Sequence, residues 1–260
     1  MAQIASLNFI KKNLPLLDKK GRDQYSSFIV EGEKFVSEIP LEWLIKYYIV
    51  SEGFTHKHSI SVYEERADVC IAPDRLFEKL SDTVSPQGVM AVCGQKHMAL
   101  ENLSTDGCLL LLCEGLSNPG NVGALIRTAA AANASGVILT KGCAELFSSK
   151  VIRASAGSVL RIPCVEGADV LSAARFIKSR GITLAAAHLK GQTSPYQADM
   201  TKPFCIMIGN EASGLSFESA SLADIFIKIP MNAKTESLNA AAAGSILLYE
   251  AVRQRQSARG

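Results

Sequence analysis

Apolar residues recur along this chain in two rhythms. Residues 108–113 (CLLLLC) form a short unbroken apolar run between Gly107 and Gly115, the pattern of a strand buried on both faces. Beyond Pro119 and Gly120 the period changes: Val122, Leu125, Ile126 and Ala129 recur at helical spacing and make one apolar face. Strand, tight polar turn and helix start thus follow one another into NPGNVGALIRT at 118–128. Further strands are predicted at 137–140, 182–187, 204–208 and 225–229, with helices between them, for example at 121–133 and 169–180. This alternation predicts an α/β fold with a mostly parallel sheet covered on both faces. In such sheets ligands bind beyond the carboxyl ends of strands.

Residues 1–96 read as a separate, small α/β domain. An opening helix and loop carry Lys11, Lys12, Lys19, Lys20 and Arg22. A strand at 28–30, a helix in EGEKFVSEI, strands at 47–50 and 68–71, a helix from Pro73 and a strand at 89–93 follow. The basic opening is a candidate RNA-phosphate surface; a plain solvated helix face is an equal alternative from this stretch alone. Residues 97–106 read as a polar linker, and 107–260 as the second domain.

Composition narrows the classes. Hydrophobic content of 48% with 20% charge describes a globular chain, not a disordered one. A net charge of +2 neither requires nor excludes a polyanionic partner. Seven cysteines without a CxxC pair point to reduced, buried thiols and a cytoplasmic setting. The opening MAQIASLNFIKK lacks a signal core, and no apolar run approaches the ~20 residues that cross a bilayer. His56 and His58 form an HxH pair without further ligands at metal-site spacing, so no metal is expected. No GxGxxG follows a strand and no G-x-S-x-G elbow occurs, which leaves a dinucleotide oxidoreductase without its fingerprint.

Three places carry candidate chemistry. Arg127 stands off the apolar stripe of its helix, among Gly123, Ala124, Ala130 and Ala131, so a charged side chain projects from a face cleared of bulk. A surface arginine on an alanine-rich helix is the alternative. Gly209-Asn210-Glu211-Ala212-Ser213-Gly214 follows a buried strand, and Gly209 permits close backbone approach or positive φ. IPMNAKTESLN at 229–239 leads into the last helix, with Ser237 as its expected N-cap and small residues at 240–245.

Together NPGNVGALIRTA, IGNEASGLS and IPMNAKTESLN, in this order and spacing, resemble the SpoU-type (TrmH-type) RNA methyltransferases of the SPOUT superfamily. IRASAGSVLRIPC at 152–164 is similar to the family's internal segment, and the resemblance covers the chain after about Gly107. RDQYSSFIVEGEKFV at 22–36 resembles the L30e/L7Ae-like RNA-binding domain that often precedes this one. The resemblance implies a C-terminal trefoil knot, a homodimer, S-adenosylmethionine as cofactor and methyl transfer to a ribose 2′-hydroxyl, in ribosomal rather than transfer RNA. It implies catalytic or polar site roles for Arg127, for Asn118 or Asn121, and for Glu211, Ser237 and Asn239. Cofactor contacts fall on Gly209, Asn210, Ile229, Met231 and Leu238, largely through backbone groups. Ala212 and Ala233 stand where the family usually has glycine. A methyl group at a position that needs positive φ costs on the order of 1 kcal/mol. A non-catalytic RNA-binding protein with a degenerate cofactor pocket is therefore the competing expectation.

Overall fold

A computed structural model gives residues 3–232, 234 and 236–258. The chain forms two compact units, Met1–Lys96 with Phe147–Arg153, and His97–Leu146 with Ala154–Gly260.

In the first unit, β1 (Gln3–Ile4), β2 (Ser27–Glu31), β3 (Ile45–Ser51), β4 (Val69–Ala72) and β5 (Val89–Gly94) form a sheet in the order β1-β4-β3-β5-β2. β3 and β4 run parallel, and β5 pairs antiparallel with both β3 and β2. Ile10, Leu16, Ile49, Phe77, Leu80 and Met90 pack into its core. The segment Phe147–Arg153, expected in the second domain, clusters here instead. Phe147 stacks on Phe28 with ring centres 4.5 Å apart. Asp82 accepts hydrogen bonds from Ser149 and Arg153, and the Ser149 bond leads in holding its carboxyl below the usual range.

The basic opening is two helices rather than a helix and a loop. Lys11 and Lys12 lie on Leu7–Asn13, Lys19 and Lys20 on Lys19–Tyr25, and all four are exposed. Arg22 corrects the expectation of a phosphate contact. It is 6% exposed, and its guanidinium donates to the Leu16 carbonyl at 2.8 Å. The chain turns back so tightly there that a Cβ on Gly21 would lie 1.9 Å from the Pro15 carbonyl oxygen. That turn carries Arg22 inward.

In the second unit, β6 (Leu109–Cys113), β7 (Gly136–Thr140), β8 (Cys164–Ala168), β9 (Thr183–Ala187), β10 (Phe204–Ile208) and β11 (Ile225–Ile227) make a parallel sheet in the order β11-β9-β10-β6-β7-β8. β8 was not expected. Its sequence, CVEGA, has no apolar run, and Gly167 at φ 68° shifts the register against β7. β11 ends two residues early because the Lys228 amide leaves the ladder for the Thr193 carbonyl. Winding reverses at β6, with β7 and β8 on one side and β10, β9 and β11 on the other. Such a reversal opens a crevice at the carboxyl ends of the strands.

Every residue of β6 is buried. Leu110 and Leu112 join Cys205, Met207 and Leu184 in a core closed by Ala173, Ala174 and Ile177 of the Val170–Ser179 helix. The polar connection at 97–106 is also packed: Leu103 is buried in this core, and Met98 and Leu100 lie against it.

Two helices matter for the site. Pro119–Ala131 starts on Asn118, whose side chain accepts from the Gly120 and Asn121 amides, and Asn133 in the left-handed region follows its end. The C-terminal helix Ala240–Ser257 is capped by Asn239, which accepts from Ala241 and Ala242, so Ser237 is not its cap. The two helices meet closely. A Cβ on Gly244 would sit 2.4 Å from Leu125 Cδ2, and Thr128 Oγ1 lies 3.1 Å from Ser245 Oγ.

The far end of the C-terminal helix is fixed by Arg255. Its Nε donates to the Met200 carbonyl at 2.9 Å, Nη1 to Gly107 at 2.9 Å, and Nη2 to Cys108 at 2.7 Å and Lys202 at 2.8 Å. Hydrogen bonds from a charged donor contribute about 1.5–3 kcal/mol each and are not additive. Arg255→Met should destabilise the protein by about 2–4 kcal/mol, lowering the melting temperature by roughly 2–4 °C per kcal/mol in a thermal scan.

Candidate active site

A cavity of about 380 Å³ opens at the carboxyl ends of β10, β9 and β11, which are neighbours in the sheet. Small-molecule sites typically measure about 300–1,000 Å³. The loop after β10 supplies Gly209, Asn210, Glu211 and Leu215, and the segment after β11 supplies Ile229, Met231, Ser237 and Leu238. Ala240 and Ala243 close it from the C-terminal helix.

The first loop is closed on itself. Asn210 and Gly214 exchange backbone hydrogen bonds of 3.0 and 2.9 Å. The Asn210 side chain accepts from the Ala212 amide at 2.9 Å and donates to the Gly115 carbonyl at 2.7 Å. Asn210 therefore presents backbone, not amide side chain, to the cavity. A Cβ on Gly209 would lie 2.3 Å from Gly214 C and from Leu215 N. Gly209 does not have positive φ, so close approach is what requires glycine there. Ala212 does not have positive φ either, which removes the expected strain. Ala233 lies outside the described residues.

Asn121 joins the turn at 118–121 to both loops. Its Nδ2 donates to Glu211 Oε1 at 2.8 Å, and its Oδ1 accepts from Asn239 Nδ2 at 3.0 Å. Sequence left Asn118 or Asn121 open. Asn118 caps the helix, while Asn121 is the one that reaches the site loops.

The expected residues therefore divide. Gly209, Asn210, Glu211, Ile229, Met231, Ser237 and Leu238 line one cavity. Asn239 is tied to it through Asn121 and its own cap. Asn118 and Arg127 are not in the lining. Arg127 is exposed, and among the described residues its guanidinium has no hydrogen-bond or ion-pair partner. On its helix face, Gly123 sits so close to the next segment that a Cβ would meet Ala154 Cβ at 2.4 Å and the Ser155 amide at 2.8 Å. Sequence missed His188, Lys190 and Lys228, which also line the cavity. Their position directly after β9 and β11 was the available signal.

Two cysteines lie at this end of the sheet. Burial pushes the Cys113 thiol well above its ordinary value, and burial likewise raises Cys143, which donates to the Cys113 carbonyl at 3.2 Å. Among the described residues no three metal-ligating side chains are gathered. His58 of the HxH pair stacks on Phe54 and lies 3.5 Å from Glu33. Among those residues no helix is long and apolar enough to cross a membrane.

Comparison with known proteins gives consistent matches in both units. Residues 108–249 match the model of the SpoU rRNA methylase family, and residues 8–91 match that of the MRM3-like substrate binding domain. The chain is 30% identical over 232 residues to the 23S rRNA (guanosine(2553)-2'-O)-methyltransferase RlmP of Bacillus subtilis, covering 89% of this chain and 90% of that protein. It is 34% identical over 197 residues to the 23S rRNA (uridine(2479)-2'-O)-methyltransferase of Streptomyces viridochromogenes, covering 74% and 69%. The AdoMet-bound rRNA methyltransferase from Sinorhizobium meliloti superposes with a TM-score of 0.87 at 31% identity, over 96% of this chain and 97% of that one. The SpoU methyltransferase AviRb from Streptomyces viridochromogenes, in complex with AdoMet, gives 0.89 at 27% identity, over 97% and 99%.

Proposed function

The chain belongs to the SpoU rRNA methylase family, and on that premise we propose that it transfers a methyl group from S-adenosylmethionine to a ribose 2′-hydroxyl of ribosomal RNA. The observation that carries this reading is the cavity itself. It is walled by backbone and by Ile229, Met231, Leu238 and Leu215, and among the described residues its charged side chains are Glu211, Lys190 and Lys228. Such a lining suits a flat, largely apolar base joined to a tail that carries both a cationic sulfonium and a carboxylate. S-adenosylmethionine, when bound, supplies a methyl group already activated on sulfur.

The residues do the rest. Gly209 and Leu238 hold the cofactor by backbone groups, and Asn121 fixes Glu211 and Asn239 at the mouth. Ser237 and Asn239 orient the ribose. Arg127 acts as a bidentate clamp on an RNA phosphate. That phosphate oxygen or a neighbouring group takes the proton leaving the 2′-hydroxyl. Alignment of this kind is worth roughly 7–11 kcal/mol of barrier.

Arg127 is outside the cavity lining of its own chain, so the reading includes a homodimer in which it serves the partner copy's cavity. Its exposure and its lack of a partner among the described residues support this, as do Ile246 and Tyr249, 41% and 52% exposed on the C-terminal helix that packs beside Arg127's helix. The knot implied by the family is assigned to the stretch from Gly209 into the C-terminal helix. Crowding at Gly209, Gly244 and Gly191 supports it; a Cβ on Gly191 would meet the Phe226 carbonyl oxygen at 2.8 Å. The first unit is the substrate-binding domain, and its exposed Lys11, Lys12, Lys19 and Lys20 contact RNA phosphates. Mass mapping of ribose methylation in ribosomal and transfer RNA, from a strain lacking the gene and its parent, tests the substrate. One ribosomal 2′-O-methyl group should disappear. Loss confined to transfer RNA overturns the ribosomal assignment.

A further inference from the structure

The loop that walls the cavity is held at both ends by two adjacent residues, Glu114 and Gly115, at the exit of β6. At its near end, the Asn210 side chain donates to the Gly115 carbonyl at 2.7 Å. At its far end, Glu114 receives a set of donors. Its Oε1 accepts from Ser216 Oγ at 2.8 Å and from Ser219 Oγ at 2.6 Å, and its Oε2 accepts from the Ser216 amide at 3.2 Å. Glu114 is itself fixed, since its amide donates to the Ile208 carbonyl at 2.8 Å, the last residue before the loop. Ser216 caps the helix Phe217–Leu222 by accepting from the Ser219 amide, and Ser219 is wholly buried.

We propose that Glu114 is a positioning residue for cofactor binding: its carboxylate fixes the far end of the 209–216 loop and so sets the shape of the cavity wall. A carboxylate accepts from the Ser216 amide and the Ser219 hydroxyl at once, and from the Ser216 hydroxyl, which also lies 2.8 Å from Ser219 Oγ; a glutamine would turn an N–H toward the amide or toward the hydroxyls. A buried hydroxyl that loses its acceptor weakens the arrangement by about tenfold in an equilibrium. Glu114 touches none of the cavity's interior itself, so its effect runs through the loop.

The inference rests on the methyltransferase reading, and the test separates the two. In the unliganded protein, hydrogen exchange of the amides at 210–216 should quicken about tenfold or more in Glu114→Gln, with the sheet amides of β6 and β10 unchanged. By calorimetry the same variant should bind S-adenosylmethionine about tenfold more weakly. Its KM for the cofactor should rise in parallel, while kcat at saturating cofactor stays within about threefold. Ser216→Ala should weaken binding too, and adding it to Glu114→Gln should add little, because one contact is lost twice. Glu114→Asp, one methylene shorter, should recover part of the affinity. Unchanged exchange in the loop overturns the inference whatever the enzyme does. Quickened exchange with unchanged cofactor affinity also overturns it, leaving a purely structural contact. A wild-type protein that fails to bind the cofactor defeats the methyltransferase reading instead.

Discussion

Arg127→Ala should abolish methyl transfer, by at least about 10²-fold in kcat, while S-adenosylmethionine still binds. The side chain is exposed, has no partner among the described residues, and lies outside the cavity lining, so its removal leaves the cofactor wall intact. Arg127→Lys should fail nearly as badly, because an ammonium cannot reproduce the two-pronged contact with a phosphate. Calorimetry and single-turnover assays on the same preparations separate binding from chemistry. Cofactor binding lost in Arg127→Ala would give the residue a different role, and full activity in Arg127→Lys would remove the bidentate clamp.

Gly209→Ala should lower activity at limiting cofactor by the opposite route. The added methyl carbon falls 2.3 Å from Gly214 C and Leu215 N, both backbone atoms, so the loop must open. Overpacking of this kind costs about 1–3 kcal/mol, enough to weaken cofactor binding about tenfold or more. A melting temperature lowered by several degrees should accompany it. Wild-type affinity in Gly209→Ala would mean that this loop does not wall the cofactor site. The two variants also test the shared site. Mixed Arg127→Ala and Gly209→Ala subunits should regain activity, since one of the two sites in a heterodimer then has both an intact cavity and an arginine. No recovery from a verified heterodimer would place Arg127 in its own chain's site.

Much of this was legible where local pattern and tertiary need agree. The run at 108–113 has no polar residue to misplace, and all of it but Cys108 is a fully buried strand in the middle of the sheet. The helix that carries Arg127 was legible from its apolar stripe, though it opens two residues before the expected start at 121, on Asn118 as cap and Pro119. Other features depend on partners far away in sequence. Ser237 and Asn239 are equally good caps by residue type. Asn239 takes the position, and its Nδ2 reaches Asn121, 118 residues away. Arg22 looked like one more cation in a basic cluster, but the close turn at Pro15 and Gly21 takes it inside. Glu114 gave no signal at all, because its partners Ser216 and Ser219 lie 102 and 105 residues further along. β8 was lost to its own composition, with Glu166 and Gly167 in a strand of five.

The most direct measurement is transfer in a defined mixture of purified protein, labelled S-adenosylmethionine and ribosomal RNA, followed by nuclease digestion and mass analysis of the nucleosides. The label should appear on the ribose as a 2′-O-methyl nucleoside at one position, and a 2′-deoxy substitution there should remove it. A label on a base, or none in the presence of saturating cofactor, contradicts the account.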